Sequence, residues 1–352
     1  MLLAVAVLIA DVAVLVARSD GDDVAVPALA RMTGTETTTT TAPPPPTTAP
    51  PTTPPPTSAP PLAPTTPPAP PPPAPTTPLL AAALPVTTFD LTPYVGLGTW
   101  VDVYDWSRTY GRGDLVGPAH VDQMAAVGVQ TLYLQASKWD APTDVLDPDL
   151  LLPIIRRAHQ HGIRVVVWYL PTLVDPGADL RRLVAIAGLD VEGVAVDIEA
   201  RDVADVTERN RRLVELSVAL RQALPGRALG AIVLPPVQIE DLNPRYWSPF
   251  PYAELAPLYD VWLTMGYWTF RSHGWRDAYR YTFENVARLR RNLGRPDLPV
   301  HPIGGIGDRT TIGDVEGFVR AAYDQHVLGG SLYDWRTTAV ELWPAQQPFR
   351  GG

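Results

Sequence analysis

Three features of the sequence predict an α/β protein whose folded part is a (β/α)8 TIM barrel. Eight short runs are apolar along most of their length, as parallel strands covered by helices are. Helical runs alternate with most of them. The whole alternation occupies about 250 residues, the usual size of such a barrel. The competing arrangement, a doubly wound open sheet, normally carries a glycine-rich first turn. Here Gly96-Leu97-Gly98 falls inside the first strand, with no third glycine at the required spacing.

In chain order, Leu2 to Val16 is apolar apart from Asp11, and Arg18 follows. At about 1.5 Å per residue this run is shorter than the roughly 30 Å hydrocarbon core. No basic residues precede it, but Ala28-Leu29-Ala30 has the form of a cleavage site. Residues 1–18 are therefore expected to be an export signal or a single membrane anchor. Thr33 to Thr88 is Pro/Thr/Ala-rich with Glu36 as its one charge, and 20 of the 41 prolines lie between Pro43 and Pro78. Such a composition buries no core, so residues 19–88 are expected to be a disordered Pro/Thr-rich linker of polyproline character.

The barrel is expected over residues 89–352. Tyr94–Val103 opens it, followed by a helical run over Pro118–Val127. Val129–Gln135 precedes Asp149–Gln160, where Leu151, Ile154, Ile155 and Ala158 recur at helical spacing and Gly162 ends the helix. Ile163–Leu170 is followed by the helical run Pro176–Ile186. Val191–Glu199 comes next, then a long helix near Val203–Leu224 with Leu213, Leu216, Leu220 and Leu224 on one stripe, stopped by Pro225-Gly226. Leu229–Leu234, Asp260–Tyr267, Val300–Ile303 and Leu328–Tyr333 complete the strands, with helices at Ala278–Arg291 and Ile312–His326 separating the last three.

Composition excludes several functions. Net charge is −9, Lys138 is the one lysine, and no basic block exceeds a pair, so a nucleic-acid partner has no electrostatic footprint. The chain has no cysteine, which removes disulfides, thiolate metal sites and cysteine nucleophiles. His159 and His161 are two apart on a helix and diverge, so they make no metal site. No metal and no cofactor is expected.

Barrel enzymes place their reactive groups at the C-terminal ends of strands. Those ends supply Asp102, Asp105 and Trp106, then Gln135, Lys138 and Trp139, then Trp168 and Tyr169. Asp197 and Glu199, Pro235, then Met265, Tyr267 and Trp268, and finally Asp334 and Trp335 follow. Acids plus flat aromatic faces suit a glycan: rings stack on sugars, and carboxyl groups cleave glycosidic bonds. The central stretch is Val191–Glu199. On a strand, Val194, Val196 and Ile198 share one face, while Gly193, Ala195, Asp197 and Glu199 share the other. Two neighbouring carboxylates repel, so one is expected to keep its proton nearer neutral pH.

This strand resembles the catalytic strand of family 18 glycoside hydrolases (chitinases and relatives), with Gly193, Asp197 and Glu199 fitting its Asp-Gly-x-x-x-Asp-x-Glu pattern. Leu263-Thr264-Met265-Gly266-Tyr267 is similar to that family's sixth strand, and Gly329–Trp335 to its eighth. The resemblance implies Glu199 as general acid, Asp197 and Tyr267 as the groups that hold a substrate acetamide, and Trp335 as the floor under the cleaved sugar. Glu192 stands where the family has Asp, Ala195 replaces an inner Asp, and Trp268 follows Tyr267 where Asp or Asn is usual. The third strand lacks the family's Ser-x-Gly-Gly.

Val101-Asp102-Val103-Tyr104-Asp105-Trp106-Ser107 is also similar to the start of family 25 lysozymes, which cut bacterial wall glycans. That resemblance implies Asp102 or Asp105, with Asp334, lining the site opposite Glu199. The expected function is cleavage of a cell-wall or extracellular polysaccharide with Glu199 as general acid. The alternative is a non-catalytic, lectin-like barrel tethered to the cell envelope. In either case the membrane is touched through the N-terminal segment alone. Gly304-Gly305-Ile306-Gly307 is expected to be a tight loop after the seventh strand, and Lys138 a solvated rim residue.

Overall fold

The computed structural model describes residues 89–351. The expected signal or anchor over 1–18 and the expected linker over 19–88 lie outside the described residues. Among the described residues, no helix is long and apolar enough to cross a membrane.

The apolar runs form eight strands: β1 Gly96–Val101, β2 Thr131–Gln135, β3 Arg164–Tyr169, β4 Gly193–Ile198, β5 Leu229–Val233, β6 Val261–Thr264, β7 Ile303–Ile306 and β8 Gly329–Tyr333. Six longer helices lie between them. α1 Pro118–Ala126, α2 Pro148–Gln160, α3 Pro176–Ala187 and α4 Val206–Ala223 follow β1 to β4, while α5 Trp275–Asn292 and α6 Ile312–Asp324 follow β6 and β7. The connection after β5 uses two single turns, Pro244–Trp247 and Tyr252–Leu255, where the other units have a full helix.

All pairings are parallel and follow chain order from β1 to β6, with β8 lying between β7 and β1. Bridges from Trp262 to Val300 and from Met265 to Ile303 join β6 to the β7 segment and close the ring. The sheet is thus a barrel and not an open, doubly wound sheet.

Local chemistry sets the helix boundaries. Pro118, Pro148 and Pro176 occupy first turns, where a missing N–H costs nothing. The Asp175 and Asp205 side chains accept from the N–H groups of Ala178 and Glu208. Thr311 and Asp314 form a reciprocal capping box on α6. The expected stripes are the buried ones: Leu151, Ile154, Ile155 and Ala158 on α2, and Leu213, Leu216 and Leu220 on α4.

One strand differs from expectation. β7 begins at Ile303 and includes the Gly304-Gly305 pair, while Val300 makes a single bridge ahead of it. The glycines are strand residues because their neighbours leave no room for a side chain. A Cβ on Gly304 would come within 2.8 Å of the Trp268 ring and of Leu332, and one on Gly305 within 2.7 Å of Thr269 and Thr310. The expected tight loop is therefore a strand packed beneath Trp268.

The floor of the barrel is a plug. Tyr94 sits in a short turn, Thr92–Tyr94, before β1, and its hydroxyl donates to the Val194 carbonyl at 2.8 Å. Its ring fills the space that Gly193 and Gly230 leave open: a Cβ on either would lie 3.2 Å or 2.9 Å from it. Above it His301 bridges the Tyr94 carbonyl (Nδ1, 2.9 Å) and the Ser331 hydroxyl (Nε2, 3.1 Å). Burial lowers the His301 pKa to about 4, so this imidazole is neutral. Trp100 donates to the same Ser331 hydroxyl and stacks on Tyr133 with ring centroids 4.3 Å apart. The lower barrel is thus filled by packed rings, with the Tyr133 hydroxyl left without a partner among the described residues.

Candidate active site

The alternation along β4 holds in the folded chain. Gly193 and Ala195 line the interior beside Tyr94 and Gly230, which places Asp197 inward one step higher. Asp197 is 4 % exposed, and its Oδ1 has no hydrogen-bond partner among the described residues. Burial first, and the neighbouring Glu199 second, push its pKa well above the usual carboxylate range. Glu199 follows at the strand end, 8 % exposed, and its backbone carbonyl accepts from the Tyr246 hydroxyl at 2.7 Å.

A second set of acids stands at the ends of β1 and β8. One carboxylate oxygen each from Asp102, Asp105 and Asp334 lies within 4.8 Å of the others, all three residues buried. Asp102 caps the turn Val103–Trp106, accepting from the Tyr104 N–H at 2.7 Å and from the Tyr333 hydroxyl at 2.9 Å. Asp105 accepts from the Asp102 N–H at 3.3 Å and pairs with Arg336 at 3.0 Å. Asp334 accepts from the Thr337 N–H at 2.9 Å.

Among the described residues this trio is the one grouping with the density of a metal site. However, both Asp102 oxygens and both Asp105 oxygens already receive donors, and the Arg336 guanidinium supplies positive charge. Burial and mutual repulsion raise the Asp105 pKa to about 9 and that of Asp334 to about 7; Asp102 is also raised, by burial foremost. Asp105 therefore holds its proton at neutral pH, and Asp334 titrates about there.

Tyr267 joins the two sets. It follows β6 in a left-handed conformation, φ 28°, unusual for a residue with a side chain. Its ring meets that of Tyr333 edge to face at 5.8 Å. Burial raises its pKa far above the ordinary phenol value, followed in order by Glu199, Asp197, Asp334 and Asp102. One neutral hydroxyl thus lies within the field of acids from three strand ends.

The remaining expected site residues divide by place. Trp168 lines the barrel with its ring 5.9 Å from Trp100, and its indole N–H has no partner among the described residues. Gln135 is buried between the ends of β1 and β2, accepting from the Val103 N–H and receiving the Trp106 indole N–H on its carbonyl. Trp106 is fully buried by that contact. Met265 is buried in the bridge to Ile303.

Tyr169 points to the helix layer and donates to Asp179 on α3 at 2.6 Å. Trp268 packs on Phe318 of α6, away from the acids. Trp335 is half-buried against Trp343, and its backbone N–H donates to the Trp100 carbonyl. Trp139 stands on the rim, 55 % exposed. Beside it Lys138, expected to be solvated, is drawn onto Asp140 and over the Tyr110 ring.

His159 and His161 do diverge, to Glu192 at 3.2 Å and to Asp122 at 2.6 Å. Glu192 is occupied at the bottom of the sheet, where it accepts from the Val165 N–H.

Four residues near the acids were absent from the expected set: Trp100, Tyr333, Tyr246 and Arg336. The first two are inward positions of β1 and β8, one step below the strand ends, and strict alternation finds them. Tyr246 and Arg336 come from loops and leave no periodic signal.

The raised carboxyl groups have a consequence for stability. Each native acid keeps a proton that the unfolded chain gives up above about pH 4. The stabilisation is complete below that pH and is lost as pH rises, through about 7 for Asp334 and about 9 for Asp105. The thermal midpoint is therefore expected to fall between about pH 5 and pH 9. Asp105→Asn flattens this slope and raises the midpoint at the alkaline end by about 3 °C, checked by calorimetry across the pH range.

No family profile matches the sequence, and no curated protein matches it. Solved structures do match. A class V chitinase from Pseudomonas fluorescens Pf-5 superposes with a TM-score of 0.52 at 10% identity, covering 72% of this chain and 98% of that one. The Bacillus cereus spore cortex-lytic enzyme SleL gives 0.53 at 10% identity, over 73% of this chain and 74% of that one. A family GH18 chitinase from Cycas revoluta, in complex with allosamidin, gives 0.51 at 12% identity, over 73% and 100%. The chain therefore has the fold of these chitinases and of this cortex-lytic enzyme, at an identity that leaves its chemistry to be read from its own residues.

Proposed function

We propose that the barrel hydrolyses a glycosidic bond in a cell-wall or extracellular polysaccharide, with Glu199 as the acid that protonates the leaving oxygen. The observation that carries this reading is the β4 pair. A buried Asp197 with an unpartnered oxygen stands two residues from Glu199 at the end of a filled barrel. Burial and the neighbouring Glu199 hold the Asp197 carboxyl well above the usual carboxylate range, so the pair keeps a proton at the strand end where a general acid is needed.

Two assignments of the other groups follow. In the acetamide-assisted one, Asp197 and Tyr267 hold a substrate N-acetyl group. In the two-carboxylate one, Asp334 or Asp102 acts from the opposite side of the mouth. Trp168, Trp335 and the rim residue Trp139 are the aromatic surfaces on which sugar rings would stack. The lectin-like alternative draws support from Ala195, which leaves Asp197 without the inner acid found in the family 18 pattern.

Release of new reducing ends from a panel of wall and extracellular glycans, incubated with wild-type protein, tests the reading. Turnover of at least one glycan is the expected result. Binding without turnover across the panel gives the case to the lectin-like alternative.

A further inference from the structure

We infer that Tyr246 is the positioning residue for Glu199, and that the connection between β5 and β6 sets, through the turn Pro244–Trp247, where this acid stands at the barrel mouth. The inference rests on the reading of Glu199 as general acid and adds the device that holds it. Asp197 lies within the β4 ladder, paired with Ile232, so the pleat fixes its direction. Glu199 is the first residue beyond β4, whose last ladder pair is Ile198 with Val233. Past that point the chain follows whatever holds it. Here the buried Tyr246 hydroxyl donates to the Glu199 carbonyl at 2.7 Å.

A single turn is a poor anchor by itself, being too short for its own helical bonds to hold it. This one is fastened to α4. Arg209, buried on that helix, donates to the Tyr246 carbonyl at 2.9 Å and to the Val203 carbonyl at 2.8 Å. One guanidinium thus ties the β4–α4 loop to the turn. It also lies 4.7 Å over the Trp247 ring, whose N–H donates to Asn210 at 2.7 Å. Asn210 in turn donates to the Pro249 carbonyl at 2.8 Å. Arg201, two residues past Glu199, covers the Tyr246 ring at 4.7 Å. Burying a guanidinium is costly, and the donors of Arg209 go to backbone carbonyls on the two segments that meet at Glu199.

Magnitudes place the effect of this bond in turnover. A neutral hydroxyl–carbonyl hydrogen bond contributes only about 1 kcal/mol to stability. A reacting group misplaced by about 1 Å can cost on the order of a hundredfold in rate.

The test removes the same group from two places on the same strand. Tyr246→Phe deletes the hydroxyl on the Glu199 carbonyl, and Tyr94→Phe deletes the hydroxyl on the Val194 carbonyl at the floor. Both are made in the full-length protein and assayed by reducing-end release on a glycan that wild type cleaves. Tyr246→Phe is expected to lower kcat about tenfold or more with KM within about threefold, while Tyr94→Phe keeps kcat within about twofold. Independently of turnover, the Glu199 carboxyl is titrated by NMR of glutamate-labelled protein, its signal being the one lost in Glu199→Gln. Asp197 and Tyr267 both register the Glu199 charge, so a displaced carboxyl titrates at a different pH. The midpoint should move by about half a pH unit or more in Tyr246→Phe and stay in place in Tyr94→Phe.

Equal kcat in the two variants overturns the inference, as does a Glu199 midpoint that Tyr246→Phe leaves unmoved. The two readings fail separately. Wild type that cleaves no glycan sinks the hydrolase reading, and the titration then decides by itself whether Tyr246 places Glu199. Turnover by wild type that Tyr246→Phe leaves intact sinks this inference alone.

Discussion

Glu199→Gln is expected to lower turnover of a glycan substrate by about a thousandfold or more, at the upper end of what a positioned general acid contributes. The amide keeps the size and the hydrogen-bonding reach of the carboxyl but has no proton to give. Affinity for an unreactive oligosaccharide should change by no more than about threefold, since the amide keeps the shape of the carboxyl. Reducing-end release measures the first quantity and calorimetry the second. A variant that kept about a tenth or more of wild-type turnover would remove Glu199 from the acid role. The backbone at this position is held from a loop by the Tyr246 hydroxyl on the Glu199 carbonyl, so the substitution leaves that anchor in place.

The largest effect on stability is expected at the opposite end of the barrel. Tyr94→Ala removes the plug that occupies the space beneath Gly193 and Gly230 and leaves a cavity there. Both glycines are on strands and cannot close the gap. The cost should be about 3–5 kcal/mol, the range for deleting a large buried ring. Urea denaturation reads it directly, and the thermal midpoint should drop by roughly 10 °C. Tyr94→Phe keeps the ring and loses only the donor to Val194, so about 1 kcal/mol is expected. Equal losses in the two variants would show that the hydroxyl, and not the filled volume, holds the floor.

The sequence carried the fold because eight apolar runs and their amphipathic partners can be covered in few ways. Boundaries failed where side chains, not patterns, decided them. β7 is displaced toward Gly304-Gly305 because Trp268 lies across it, a contact between residues far apart in sequence. Tyr94, read as the start of the first strand, is instead a turn residue turned under the barrel.

At the mouth, Asp197 and Glu199 were legible from alternation on one strand. The nearness of Asp102, Asp105 and Asp334 was implied only through a resemblance, since adjacency of β1 and β8 is a property of closure. Trp268 and Tyr169 were included as strand-end aromatics, but the backbone turns them to the helix layer, against Phe318 and Asp179. A strand-end position names a level in the barrel; it does not name a direction once the strand has ended.

The Tyr94 plug also bears on what position 195 can hold. A side chain on Gly230 would lie 3.1 Å from the Ala195 Cβ and 2.9 Å from the Tyr94 ring, so the tyrosine shares the level that a carboxyl at 195 would need. An aspartate at 195 would press a charge against a buried aromatic edge. Room for it requires a smaller residue at 94, and that change gives up the floor of the barrel. Ala195 and Tyr94 are thus physically linked: the volume that closes the barrel bottom is the volume that keeps a second carboxyl from standing beneath Asp197.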